Sequence, residues 1–292
     1  MSAISVHAPA KLNLFLAITG RRADGFHDLV SVAAPVEFGD VLRVEPAADF
    51  SLGCDEAELP ADESNLVLKA ARAFRAASGW TGGARFSLEK RIPMGAGLGG
   101  GSSDAVAALR ALNSLAGEPL DAAALAAVAT QLGSDCPLFL HDALVVMRGR
   151  GERIELLPGG AARLRRRRVL IFKPGFGVPT PWAYARLAAE APASYLPAAE
   201  AEARLAAWIG QRGATAEDLL FNNMERAVFS KFIALPTLLA QLQTEFGLAA
   251  RMSGSGSACF ALLADDSPVA AIKTSIRRAW GEAVFVIETR IA

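Results

Sequence analysis

The feature that most restricts this chain is the run Pro93-Met94-Gly95-Ala96-Gly97-Leu98-Gly99-Gly100-Gly101-Ser102-Ser103-Asp104-Ala105. Five of the seven positions from 95 to 101 are glycine, and an alanine-rich helical pattern follows at once. An ordinary turn needs one or two glycines. A backbone without β-carbons can curl through left-handed conformations and let a ligand approach the main chain closely. The first four N–H groups of the following helix lack internal partners and carry the positive end of its dipole, so a phosphate is the natural occupant. Ser102 or Ser103 is placed either to cap that helix or to offer a hydroxyl to a phosphate or its metal.

Two common phosphate loops are excluded. Gly95-x-Gly97-x-x-Gly100 formally fits the dinucleotide fingerprint, but the acidic residue required about 20 positions on falls at Gly117-Glu118-Pro119, with no second strand before it. A Walker loop is ruled out because no Gly-Lys-Ser or Gly-Lys-Thr occurs. Formal net charge is zero, from 30 basic and 30 acidic residues, which argues against a nucleic-acid or membrane-surface role. Cys54, Cys136 and Cys259 are odd in number and scattered, as free thiols in a reducing compartment are, and His7, His27 and His141 are too dispersed for a metal site. No apolar run reaches a membrane span, and Met1 to Pro9 lacks the order of a signal peptide, so the expectation is a cytoplasmic protein.

Along the chain, Val6 to Thr19 alternates as a strand, with Lys11 and Asn13 on one face. Those two look either into a ligand site or out from an exposed edge. Phe26 and His27 follow the turn-rich Gly20-Arg21-Arg22-Ala23-Asp24-Gly25 and offer adjacent flat rings, for stacking or for ordinary packing. Val30 to Pro46 reads as a hairpin turning at Gly39-Asp40. Ser64-Asn65 caps a helix to about Ala77, and Arg85 to Ile92 is a strand leading to the glycine run, with Lys90 and Arg91 beside it facing a nucleotide or solvent. The next helix stops before Gly117, and Asp121 caps another that ends at Gly133. In Gly133-Ser134-Asp135-Cys136-Pro137, Asp135 is fixed between a helix stop and a proline; it is either a general base or a turn aspartate satisfied by local N–H groups.

The four arginines at 165–168 abut the apolar strand Val169-Leu170-Ile171-Phe172 and read as a solvated boundary; the expected domains are residues 1–160 and 161–292. Lys173 to Pro181 is a rigid loop into Trp182-Ala183-Tyr184, and Asn222-Asn223-Met224-Glu225 opens a helix. Ser253-Gly254-Ser255-Gly256 is a second glycine-serine turn, placed to be another wall of the first loop's site. Strands and helices mix without strict alternation, so the class is α+β.

Three pieces in fixed order, Pro9-Ala10-Lys11-Leu12-Asn13-Leu14, the 93–105 glycine run and Ser253-Gly254-Ser255-Gly256, resemble the signature motifs of the GHMP small-molecule kinases. Gly20-Arg21-Arg22-x-Asp24-Gly25-Phe26-His27 and Gly133-Ser134-Asp135-x-Pro137 are similar to the branch that acts on a cytidine diphosphate-linked methylerythritol in the non-mevalonate isoprenoid pathway. The resemblance implies a two-domain GHMP kinase fold with the active site in the inter-domain cleft, and ATP-dependent phosphorylation of that substrate's 2-hydroxyl. It implies Asp135 as base and Lys11 as its partner, ATP held by residues Pro93 to Ser103 with Asn65 and Lys90 beside the adenine, and substrate held by Asn13, Phe26, His27 and Tyr184. ATP as co-substrate, Mg2+, and a monomer or weak homodimer complete what it implies.

There are departures from the pattern. Phe26 replaces a common tyrosine, Asp104 stands where asparagine is frequent and would add a magnesium contact or cap the helix, and the third motif carries serine in place of threonine. The placement of Tyr184 rests on Pro179-Thr180-Pro181. The alternatives are a kinase of the homoserine or mevalonate type, and a nicotinamide-dependent oxidoreductase.

Overall fold

The computed structural model describes residues 3–292. The chain forms two compact units, each assembled from several segments: residues 1–10, 38–93 and 99–142 in the first, and residues 11–37, 94–98 and 143–292 in the second. The single boundary expected near residue 160 divides the chain differently, because strands β1 (Ile4–Arg21) and β2 (His27–Ala47) each give one part to either unit.

In the first unit the later part of β2 pairs antiparallel with β4 (Gly83–Glu89), Val41 opposite Glu89 and Ala47 opposite Gly83. β3 (Ser51–Cys54) runs parallel to β4. Helix α1 (Leu66–Ser78) packs on α2 (Gly100–Leu115) and α3 (Ala122–Leu132), burying Leu68 and Phe74 with Leu109, Leu112 and Val128. The Asn65 side chain accepts the Val67 N–H and Asp121 accepts that of Ala124, the expected N-caps. Each satisfies one donor that its helix leaves open, so both helices start where the sequence says.

The expected hairpin does not form: β2 is one continuous strand through Gly39 and Asp40. Gly39 is there because the neighbouring strand comes too close for a side chain. A Cβ at this position would lie 2.3 Å from the Ala8 carbonyl oxygen and 2.7 Å from Pro9 Cα. Asp40 is fully buried and accepts hydrogen bonds from the Arg91 and Ile92 backbone at 2.6 and 2.7 Å. Glycine-aspartate thus serves close packing and anchoring, not a turn.

The second unit takes β1 from Lys11 onward, paired in parallel with the short β8 (Phe221–Asn222), and the earlier part of β2, paired with β5 (Val145–Gly149). β6 (Arg153–Leu156) extends β5. A four-stranded antiparallel sheet follows the order β11 (Phe285–Arg290), β7 (Arg168–Lys173), β10 (Cys259–Leu263), β9 (Ala250–Met252). Helices α5 (Thr180–Ala189), α7 (Met224–Phe229), α8 (Ala234–Phe246) and α9 (Val269–Trp280) pack Leu187, Val228, Leu238, Leu242 and Ile276 against Leu170, Phe172 and Ala261 of that sheet. The shorter α4 (Ala161–Leu164) precedes β7, and α6 (Ala198–Gly210) follows α5. Of the four arginines, Arg165 and Arg166 are exposed, but Arg167 pairs with Glu217, and Arg168 pairs with Glu288 at 2.8 Å and donates to the Ala264 and Asp265 carbonyls. Half of the boundary is therefore structural.

Candidate active site

The glycine run forms the curl that its composition demands. Gly95, Gly97 and Gly99 have φ of +60°, +74° and +76°. Left-handed residues at every second position turn successive N–H groups toward one concavity, an anion-binding arrangement. Gly99 is the N-cap of α2, so the open N–H groups of the first helical turn follow directly. Neither Ser102 nor Ser103 caps the helix, since both lie inside its first turn; the buried Ser103 hydroxyl has no partner in the fold.

In the second unit, residues 94–98 are gripped from two directions. The Lys11 N–H donates to the Leu98 carbonyl at 2.9 Å, and the Ala258 N–H donates to that of Ala96 at 3.0 Å. The Ser253 hydroxyl donates to the Gly97 carbonyl at 3.1 Å. A Cβ at Gly97 would sit 2.2 Å from the Ser253 carbonyl oxygen, so glycine is obligatory here for packing as well as for its φ. The two glycine turns thus lie against each other, as the third motif led one to expect.

Lys11 and Asn13 are 4% and 6% exposed, which removes the exposed-edge reading. The Lys11 ammonium donates to Asn13 Oδ1 at 2.5 Å, and Asn13 Nδ2 donates to the Ser31 hydroxyl at 2.9 Å. Ser31 in turn donates to the Phe15 carbonyl, and the Asn13 N–H reaches the Ser253 hydroxyl at 3.3 Å. A buried ammonium is costly unless hydrogen-bonded, and this chain of partners sets its direction.

In the first unit, Asp135 precedes a 3₁₀ turn at Cys136–Leu140 that starts with proline and buries Cys136 to Phe139. Asp135 itself is half-buried. Burial pushes the neighbouring Cys136 thiol up to about 11, opposed by its hydrogen bond with the Ser102 side chain. That contact places the Asp135 segment beside the first turn of α2, where the glycine curl ends.

Lys90 and Asn65 are more deeply engaged than their sequence neighbours suggest. The Lys90 ammonium, 6% exposed, is paired with Asp40 and, at 2.8 Å, with Asp104. Asn65 Nδ2 donates to the Pro60 carbonyl while its oxygen caps α1. Asp104 accordingly neither caps α2 nor stands open to solvent. One ammonium between two carboxylates leaves an excess negative charge. Asp40 is held by two backbone N–H groups as well as Lys90, whereas Asp104 Oδ1 has no partner. Burial raises the Asp104 carboxyl to about 7, Lys90 opposing and Asp40 reinforcing the rise.

Among the aromatic candidates, Phe26 is 49% exposed, with the Arg150 guanidinium 5.0 Å from its ring centre. His27 and Tyr184 are brought together, their ring centres 4.9 Å apart at 37°. Tyr195, which sequence reasoning missed, closes the cluster: its hydroxyl lies 3.2 Å from His27 Nε2. Also missed were Asn222 and Glu225. Asn222 Nδ2 donates to the Met252 and Gly254 carbonyls at 2.8 and 2.9 Å, and Glu225 accepts the Met252 N–H at 2.8 Å, so both brace the Ser253 turn. Burial pushes the Glu225 carboxyl up to about 7, against the pull of the Met252 N–H and Arg251. Asn222 Oδ1 also accepts the Met224 N–H, the local helix-opening role that the sequence does reveal.

Residues 65–143 match the GHMP kinases N terminal domain and residues 200–282 the GHMP kinases C terminal domain. The chain is 40% identical over 281 residues to a 4-diphosphocytidyl-2-C-methyl-D-erythritol kinase of Prochlorococcus marinus (strain MIT 9303), covering 92% of this chain and 88% of the relative. A crystal structure of 4-(cytidine 5'-diphospho)-2C-methyl-D-erythritol kinase superposes with a TM-score of 0.76 at 36% identity, over 99% of this chain and 100% of that one. A homoserine kinase from Cytophaga hutchinsonii, 19% identical, shares the fold with a TM-score of 0.74, over 100% of this chain and 95% of that one. With its glycine curl, its buried lysine strand and a relative this similar along nearly its full length, the chain belongs to the 4-diphosphocytidyl-2-C-methyl-D-erythritol kinase family of the GHMP kinases.

Proposed function

We propose that the protein transfers the γ-phosphoryl group of ATP to the tertiary 2-hydroxyl of 4-diphosphocytidyl-2-C-methyl-D-erythritol. The observation that carries phosphoryl transfer is the curl of alternating left-handed glycines running into the amino end of α2, with the Lys11 strand hydrogen-bonded to it at Leu98. The choice of substrate is supported by the 40% identity to a kinase named for it.

In this reading the N–H groups of residues 95–103 hold the phosphates, as a Walker lysine and loop do elsewhere. Asp135 accepts the hydroxyl proton as its oxygen bonds to the γ-phosphorus and the bond to the β-phosphate oxygen breaks, releasing ADP. Lys11 steadies charge developing on the transferred group. Asn13 positions the substrate, Asn65 and Lys90 lie on the adenine side, and Phe26, His27 and Tyr184 hold the cytosine by stacking.

Magnesium is expected to accompany the nucleotide and to spread its phosphate charge. Among the described residues no three of His, Cys, Asp or Glu gather into a metal cluster. The ion would be held chiefly by triphosphate oxygens, the usual pattern for magnesium, and the unpartnered Ser103 hydroxyl fits as a donor from this chain.

The test is an ADP-coupled assay of the purified protein offered the cytidyl substrate, homoserine and mevalonate in turn. Turnover with the cytidyl substrate alone is expected, and turnover only with homoserine overturns the substrate assignment.

A further inference from the structure

We propose that the hydroxyls of Thr180 and Ser255 bind the diphosphate of the substrate, the link between its cytidyl group and its reacting end. This rests on the reading above, in which Asn13 holds one end of the substrate and Tyr184 the other. It adds the residues that hold what lies between them.

Thr180 opens α5, and Tyr184 follows four positions later. Side chains four apart on a helix are neighbours, so Thr180 and Tyr184 stand one turn apart on the same face. Ala183 and Leu187 of that helix are buried in the core. The Thr180 hydroxyl lies 2.9 Å from that of Ser255 in the Ser253 turn. The residue before Ser255 backs onto Asn13: a Cβ at Gly254 would lie 3.3 Å from Asn13 Oδ1 and 3.2 Å from the Gly97 carbonyl oxygen. The Ser253 hydroxyl also accepts the Asn13 N–H. One unbroken set of contacts thus leads from Asn13 through Gly254, Ser255 and Thr180 to the face that carries Tyr184.

The pair is held in place from both sides. The segment before α5 runs along the Ser253 turn in the opposite direction. The Ser257 hydroxyl donates to the Phe176 carbonyl at 2.6 Å, a Cβ at Gly256 would meet Val178 Cγ2 at 3.6 Å, and Thr180 faces Ser255. Asn222 Nδ2 fixes the same turn through the Gly254 carbonyl at 2.9 Å.

A hydroxyl has one hydrogen to donate. When two hydroxyls bond to each other, one hydrogen is used and the other is left to point outward, whichever group gives. Among the described residues neither hydroxyl makes a second hydrogen bond. Ser255 is buried but Thr180 is exposed, so the pair is open to a ligand on the Thr180 side. Ionised phosphate oxygens only accept, and hydrogen bonds to a charged acceptor are the stronger kind. A diphosphate takes the free hydrogen at once, and takes the second by replacing the bond between the two hydroxyls.

The test is Thr180→Val, which keeps the shape of the side chain and removes the hydroxyl. Calorimetric titration with cytidine 5'-diphosphate and with cytidine compares two ligands that differ only by the diphosphate. The unmodified protein is expected to bind the diphosphate form more tightly. In Thr180→Val that preference should fall about tenfold, the effect of losing a hydrogen bond to a charged group, with cytidine affinity unchanged. The KM for the cytidyl substrate should rise by a similar factor while that for ATP stays as it was, and Thr180→Ser should restore both the preference and the KM. A hydroxyl that merely seats α5 would weaken cytidine and its diphosphate alike. That result, or a preference unchanged in Thr180→Val, or none in an unmodified protein that turns the substrate over, overturns the inference alone. Failure of the unmodified protein to use the cytidyl substrate would refute the functional reading, and the inference with it.

Discussion

Replacing Asp104 with asparagine isolates the effect of one buried proton on stability. In the Lys90, Asp40 and Asp104 cluster the proton goes to Asp104, whose Oδ1 is unpartnered, and its carboxyl lies at about 7 against an ordinary 3.8. The folded pKa is raised, so the contribution to stability is full below 3.8, declines as pH rises toward 7 and is flat above. Each pH unit in that window changes stability by ~1.4 kcal/mol. Across roughly three units the total is about 4 kcal/mol. Asparagine does not titrate, keeps an oxygen for Lys90 and places an amide where Oδ1 stood. An unpaired buried amide costs ~1–3 kcal/mol at every pH. The variant should therefore be the less stable protein near pH 4.5 and gain on the unmodified one by about 3 kcal/mol on going to pH 8. Urea denaturation of both proteins at half-unit steps of pH, followed by circular dichroism, measures this. Two curves that stay parallel from pH 4.5 to 8 would refute the assignment of the proton to Asp104.

Three further outcomes follow from the site. Asp135→Asn should lower turnover by ~10² or more with ATP binding, measured by titration calorimetry, little changed; near-normal turnover removes Asp135 from the role of base. Tyr184→Ala should raise the KM for the cytidyl substrate and leave that for ATP alone, and the reverse pattern in steady-state kinetics rejects its place at the cytosine. Asn222→Ala leaves the Met252 and Gly254 carbonyls without their donor, at a cost of ~1–3 kcal/mol for each group left unsatisfied. It should lower both the Tm and kcat, and Asn222→Asp, which accepts but does not donate, should not restore them.

Much of the site was legible because local chemistry dictated it. A helix start needs an acceptor, which Asn65 and Asp121 supply, and a curl of left-handed residues needs glycine, which Gly95, Gly97 and Gly99 supply. What was not legible depends on partners distant in sequence. Lys90 looks like a surface cation until Asp40, 50 positions away, and Asp104 are folded around it. Gly39-Asp40 has a turn's composition, but its actual task is set by Ala8 and by the Arg91 and Ile92 N–H groups. Tyr195 carried no local signal. Asn222 carried half of one, since its oxygen serves Met224 two residues on while its nitrogen reaches across 30 and 32 positions to Met252 and Gly254.

The contact of Gly97 with Ser253 has a consequence for how such a chain can change. With 2.2 Å between an added Cβ and the carbonyl oxygen, the two turns mesh like teeth, and neither backbone can shift unless the other retreats in step. A graft that exchanges the first turn for a relative's while keeping the second should lose activity, and exchanging both together should recover it. Because the clash is with a main-chain oxygen, position 97 is accordingly expected to stay glycine across the lineage whatever residue occupies 253.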